Sequence, residues 1–219
     1  MNQKVLDISL PKTRSLEQLK DFSFLKKIIL EIELFITNTE NFLLINIKED
    51  LIRNYLLHAA LNSIKPKPTI IDLKDKSFNL DKIKNSIVFI KNLSNETIDE
   101  ESELFLFNAF NYCIDQKSKI LFSSDNYIKN LQIKLPDLES RLNTIAPIKI
   151  LNPTEDEKMN LINFELHQRG LKINEKELNY IFTYHSRDLN SLLNLAERLD
   201  EVSYKEKKSI SINLIKKII

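Results

Sequence analysis

Phe42-Leu43-Leu44-Ile45-Asn46-Ile47, running on through Lys48-Glu49-Asp50-Leu51-Ile52-Arg53-Asn54-Tyr55-Leu56-Leu57-His58-Ala59-Ala60, is a strand signal that turns into a helix signal with no glycine at the junction. An unbroken apolar run suits a strand buried on both faces, as in a parallel sheet. Leu51, Tyr55, Leu57, His58 and Leu61 then keep helical spacing until Pro66 and Pro68 stop the helix. A strand-to-helix junction of this kind is where many α/β proteins cradle phosphate, and the usual cradle is G-x-x-x-x-G-K-[ST]. Glycine lets backbone N–H groups approach the phosphate oxygens. With one glycine, Gly170, among 219 residues, that pattern cannot be written anywhere in this chain.

Outward from this junction, strand and helix signals alternate. Thr69-Ile70-Ile71-Asp72 reads as a second strand, Ser86-Ile87-Val88-Phe89-Ile90 as a third and Lys119-Ile120-Leu121-Phe122-Ser123 as a fourth. Ile145 to Leu151 supplies a fifth apolar stretch. Between the third and fourth, Leu104, Phe105, Phe107, Asn108 and Asn111 to Ile114 lie on a helix whose start is marked by Asp99, Glu100 and Glu101, favourable for the helix dipole. The alternation predicts a parallel α/β sheet. The pattern changes at Pro153. Thr154-Glu155-Asp156-Glu157 is a capping-type start, Met159, Ile162 and Leu166 repeat helically, and Gly170 stands at the natural C-cap. Further helices are predicted from Glu175 to Tyr184, from Arg187 to about Val202, and from Ile212 onward. The expected organisation is an extended tail over 1–14, an α/β base over 15–152 and a small all-helical unit over 153–219.

Composition narrows the function classes. Lys+Arg of 32 against Asp+Glu of 31 gives a formal charge of +1, so nothing global argues for non-specific nucleic-acid or anionic-membrane binding. A protein partner is the better default. No apolar run approaches the ~20 residues a membrane span needs, and the start MNQKVLDISL carries no apolar block of signal-peptide length. A single cysteine, Cys113, cannot form an internal disulfide, which fits a reducing cytoplasm. His58, His167 and His185 lie far apart without zinc spacing, and Cys113 sits among apolar neighbours, so packing explains it.

An α/β base followed by a helical unit of this size suggests an AAA+ module, and several stretches carry a more specific resemblance. Leu135-Pro136-Asp137-Leu138-Glu139-Ser140-Arg141-Leu142, Pro153-Thr154-Glu155-Asp156-Glu157-Lys158, Gln168-Arg169-Gly170-Leu171-Lys172-Ile173, Ser186-Arg187-Asp188-Leu189-Asn190-Ser191-Leu192 and Leu199-Asp200-Glu201-Val202-Ser203 together resemble the AAA+ region of the replication initiator DnaA. They are still more similar to the Hda family, the short DnaA homologues that act as regulatory inactivators of DnaA. The resemblance covers residues 42 to 219. It implies an AAA+ fold with a five-stranded parallel sheet base and a helical lid. No residues corresponding to the initiator's DNA-binding domain follow the lid, as expected of the regulator.

The resemblance also fixes the register of the first junction, because Tyr55-Leu56-Leu57-His58-Ala59-Ala60 resembles the family's H-L-L-H-A-A helix. The last two glycines of the family's phosphate loop, its basic residue and its Ser/Thr then fall on Asp50, Ile52, Arg53 and Asn54. Only Arg53 keeps the charge of the pattern. A carboxylate such as Asp50 within ~4 Å of a phosphate oxygen is repelled by ~4 kcal/mol at an effective dielectric of ~20. The acidic Mg²⁺-holding position after the third strand is Lys91, which cannot ligate a metal while charged. No nucleotide cofactor is therefore expected, weak ADP binding remaining open, and no ATPase activity of the chain's own.

What the resemblance leaves intact is Arg141. In the family the arginine of S-R-[LF] acts in trans as an arginine finger on the nucleotide of a neighbouring subunit, and its planar five-donor fork and permanent charge suit that task. Arg187 matches the lid arginine that senses a module's own nucleotide, a structural role at the helix start being the alternative. Ser123-Ser124-Asp125 resembles the polar sensor at the end of the fourth strand, here a relic or a turn. In the tail, Asp7-Ile8-Ser9-Leu10-Pro11 resembles the family's Q-L-S-L-P peptide, which docks on the sliding clamp; Ile8 and Leu10 share a side at period two, and Asp7 replaces the usual glutamine. The implied partners are DnaA and the DNA polymerase sliding clamp, with DNA engaged only through the clamp, no membrane, and a cytoplasmic location at the nucleoid. A pseudo-enzyme scaffold that binds initiator or clamp without promoting hydrolysis is the alternative.

Overall fold

The computed structural model describes residues 15–76, 79–83 and 86–219. The chain divides into two compact units, one spanning Ser15–Leu151 and one containing Asn152–Ile219.

In the first unit, α1 (Leu16–Leu19) and α2 (Ser23–Thr37) lead into β1 (Phe42–Asn46), α3 (Asp50–Ser63), β2 (Thr69–Asp72), β3 (Ile87–Leu93), α4 (Glu100–Asp115), β4 (Lys119–Ser124), α5 (Pro136–Thr144) and β5 (Pro147–Ile148). The five strands form one parallel sheet in the order β2-β3-β4-β1-β5, with registers such as Leu44↔Phe122, Asn46↔Ser124 and Ile45↔Ile148. Strands alternate sides. Leu44, Val88, Ile90, Ile120 and Phe122 meet Leu106, Phe110, Leu138 and Leu142 of α4 and α5 in one apolar cluster. α2 and α3 bury Ile28, Ile32, Phe35, Ile52, Leu56 and Ala60.

Two features of this unit depart from the sequence reading. The fifth apolar stretch, Ile145 to Leu151, pairs as strand only at Pro147 and Ile148. Pro147 brings no N–H to the ladder, which weakens continued pairing at this sheet edge. The 15-residue helix α2 had no counterpart in that reading. Its last turn is closed by Lys119, whose ammonium donates to the carbonyls of Phe35 (2.6 Å), Ile36 (3.1 Å) and Asn38. A cation at a helix C-terminus satisfies the orphan carbonyls there.

In the second unit, α6 (Glu155–Gln168), α7 (Glu175–Tyr184), α8 (Leu189–Glu206) and α9 (Ile212–Lys216) close around Ile162, Leu166, Ile181, Leu195, Leu199 and Ile215. Side-chain caps set the starts of the helices: Thr154 and Asn174 in capping boxes with Glu157 and Glu177, Asp188 on the N–H of Ser191, Ser211 on that of Leu214. Gly170, at φ +77°, takes the left-handed conformation that ends α6. Among the described residues no helix is long and apolar enough to cross a membrane.

Candidate functional site

In an open parallel sheet, ligands gather at the carboxyl ends of the strands where the strand order reverses. Here that place lies between β1 and β4, at the register partners Asn46 and Ser124. Only Ile47, Lys48 and Glu49 separate β1 from α3, and the turn is closed on itself. The side chain of Arg53 is 5% exposed and bends back to donate to the carbonyls of Ile47 (2.5 Å) and Lys48 (3.4 Å), while its other nitrogen pairs with Asp50. Burial pushes the Arg53 pKa down, against the pull of Asp125 and Glu49. The one basic residue at the phosphate-loop position is thus committed to protein oxygens, with three carboxylates around it. On the β4 side, Asn46 donates through Nδ2 to the carbonyls of Asn126 (2.6 Å) and Ser124 (3.4 Å). The single O–H of Ser124 has two carbonyl acceptors in reach, those of Leu93 (2.7 Å) and Asn126 (2.8 Å). Ser124 therefore ties the turn together, and Ser123 carries a buried hydroxyl without a hydrogen-bond partner.

The residue after the third strand's apolar run, Lys91, lies 3.9 Å from the Asp72 carboxylate. Asp72 also accepts from Asn92 Nδ2 (2.6 Å) and from the Lys74 N–H (3.0 Å). Asn92 sits at φ +61° in the register shift between Ile90 and Leu93. An ion pair thus stands where a metal-holding carboxylate is needed, and among the described residues no group of three or more His, Cys, Asp or Glu could hold a metal ion. Nearby, the His58 pKa is pushed down by burial and by Lys91. Cys113 is buried, its thiol pushed up to about 11 by desolvation, and it packs in the apolar cluster of α4.

Arg141 is differently placed. It lies near the end of α5, half-buried on the side of α4, with its guanidinium carbon 4.8 Å from the centroid of the Phe107 ring. One nitrogen donates to the Asn111 side-chain oxygen at 2.6 Å. No carboxylate among the described residues comes within 4.0 Å of it, in contrast to Arg53, Arg169 and Arg187. A planar cation held on an aromatic face by one neutral acceptor keeps its charge and its remaining donors for an incoming anion. Beside it, Phe42, Phe110, Asn111, Ile114, Asp115 and Thr144 line a cleft of about 330 Å³. Asn111 and Phe107 were visible in the sequence only as residues of a helix; their i, i+4 spacing was the available signal for a shared face.

Arg187 is engaged inside the helical unit: its Nε–H donates to the Phe182 carbonyl (2.7 Å) and its head pairs with Glu155 (3.2 Å). Those bonds connect α7 to the start of α6. Asp7, Ile8, Ser9, Leu10 and Pro11 lie outside the described residues.

A parallel sheet ordered β2-β3-β4-β1-β5, followed in the chain by a four-helix unit, is the arrangement of an AAA+ fold. The comparisons agree. Domain III of the Thermotoga maritima replication initiation protein DnaA superposes with a TM-score of 0.70 at 18% identity, covering 92% of this chain and 93% of that one. AMPPCP-bound DnaA from Aquifex aeolicus gives 0.68 at 16% identity, covering 92% of this chain and 70% of its own. The Thermotoga maritima RuvB Holliday junction branch migration motor gives 0.64 at 16% identity, covering 93% and 70%. Residues 155–219 match the family model of the Hda lid domain. An uncharacterized protein of Haemophilus influenzae is 28% identical over 134 residues, 61% of this chain; the match spans 58% of that relative's length. The chain thus has the fold of the DnaA AAA+ domain, and its residues 155–219 are similar to the Hda lid domain.

Proposed function

We propose that this protein is a regulatory inactivator of the initiator DnaA that works without a nucleotide of its own. It presents Arg141 in trans to ATP held by DnaA, stabilises charge on the γ-phosphate during hydrolysis, and is brought to DNA by docking Asp7-Ile8-Ser9-Leu10-Pro11 on the sliding clamp. The observation that carries this reading is the contrast between two arginines. Arg53, at the phosphate-loop position, is buried against Ile47, Lys48 and Asp50, whereas Arg141 stands on Phe107 and Asn111 with no acidic partner among the described residues.

The chemistry asked of Arg141 is electrostatic. A trans-acting arginine contributes ~10³–10⁵ in rate, equivalent to ~4–7 kcal/mol. Water, Mg²⁺ and phosphate cradle all belong to the partner, so a closed β1–α3 turn in this chain does not impair the step. Initiator-bound ATP hydrolysis, with clamp-loaded DNA present, tests the proposal: the wild-type chain accelerates it and Arg141→Ala does not. Arg141→Lys also fails, because an ammonium lacks the planar fork. A scaffold would be indifferent to either substitution.

A further inference from the structure

α5 has nine residues and begins at Leu135-Pro136 with no side-chain cap of its own. The N–H groups of the two residues that lead into it are bound from α4. Glu103, 4% exposed, accepts the Lys134 N–H on one carboxylate oxygen (2.9 Å) and the Leu135 N–H on the other (2.8 Å). Further along α4 stand the groups that hold Arg141, Phe107 four residues and Asn111 eight residues beyond Glu103. Leu135 to Arg141 is six residues, about 9 Å of helix rise, and so is Glu103 to the midpoint of Phe107 and Asn111. The two helices run in the same sense and in register, fastened at the start by a carboxylate and at the end by the arginine itself.

We propose that Glu103 is the positioning residue for Arg141: by fixing the start of α5 against α4 it places the guanidinium over Phe107. The catalytic part of this inference rests on the reading of Arg141 as a trans-acting finger. Leu138 and Leu142, fully buried, set which face of α5 meets the sheet, but apolar contacts alone permit sliding along the helix axis. Two charge-assisted bonds from one buried carboxylate do not. In Glu103→Gln one oxygen still accepts, while the amide NH₂ meets a backbone N–H with no acceptor between them. α5 then moves at its start, and a displacement of about 1 Å in a positioning element costs on the order of 10²-fold in rate.

The test has two arms on the full chain. NMR of labelled arginine follows the Arg141 δ-methylene and Nε–H signals, shifted by the ring current of Phe107, with Phe107→Leu marking the unstacked position. Glu103→Gln moves these signals at least halfway to that position; Glu103→Asp, one methylene shorter, moves them less. Lys119→Met, a destabilising control whose contacts lie on α2, leaves them in place. In initiator-bound ATP hydrolysis, Glu103→Gln lowers maximal stimulation about 10²-fold at an unchanged half-saturating concentration, and adds nothing in an Arg141→Ala background. Arg141 signals at their wild-type positions in Glu103→Gln overturn the proposal. If Arg141→Ala leaves hydrolysis unchanged, the finger reading fails while the spectra still decide whether Glu103 positions the side chain.

Discussion

Replacing Arg53 by Met separates a turn that has closed on itself from one waiting for phosphate. In the structure the guanidinium is almost fully buried and makes a short bond to the Ile47 carbonyl. Loss of that charge-assisted bond costs about 1.5–3 kcal/mol. The bond to Lys48 at 3.4 Å is near the geometric limit and adds little. Asp50 is 68% exposed, so its pair with Arg53 counts as a surface pair, about 0–1 kcal/mol. Met fills the space of the stem, and removing a partly desolvated charge returns some of the cost. The net expectation is a loss of about 2 kcal/mol, which for a domain of this size lowers Tm by roughly 4–8 °C. The assay is thermal denaturation followed by circular dichroism, with and without 10 mM ATP and Mg²⁺. The wild type shows no ligand-dependent rise, whereas a site with a Kd of about 0.1 mM gains about 2.7 kcal/mol under these conditions. An Arg53→Met variant as stable as the wild type, together with a wild-type Tm that climbs with ATP, refutes the reasoning and makes Arg53 a phosphate ligand.

Lys119→Met removes three donors from the last turn of α2 and lowers the stability of the sheet-containing unit by about 1.5–3 kcal/mol, measurable as a lower urea midpoint with an unchanged slope. Acid acts through the helix caps. Asp188 is held down to about 2 by the Ser186 hydroxyl and by Ser191, and Asp99 is held well below its ordinary range by Lys76 and Ser102. Carboxylates depressed in the folded state contribute stability above their unfolded pKa near 4 and lose it as pH falls through the folded value. Denaturation midpoints therefore drop between pH 4 and pH 2, and Asp188→Asn flattens that slope for the helical unit. A midpoint that does not change over this range contradicts the capping account.

Much of this architecture was legible because apolar runs and proline or glycine punctuation act locally. β1 through β4, α3, α4 and the α6–α9 series follow such signals to within a few residues. α2 carries Phe24, Leu25, Ile28, Ile29, Ile32 and Phe35 at helical spacing, an amphipathic pattern that needed only to be sought before residue 40. β5 is short for a tertiary reason, since pairing depends on where β1 ends and on a proline with no N–H. At the site, Arg141 and the altered phosphate-loop positions could be picked out by resemblance. The collapse of Arg53 onto its own turn could not, because the destination of a long side chain depends on which carbonyls the turn leaves free. Glu103, Phe107 and Asn111 were hidden for the same reason: they follow one another at intervals of four along α4, but only the fold shows that α5 lies against it.

The central claim is tested most directly by initiator-bound ATP hydrolysis on clamp-loaded DNA, comparing no addition, the wild-type chain and Arg141→Ala. The account predicts stimulation by the wild type that requires no nucleotide bound to it and disappears in the variant. Equal stimulation by both proteins, or none by either, contradicts it.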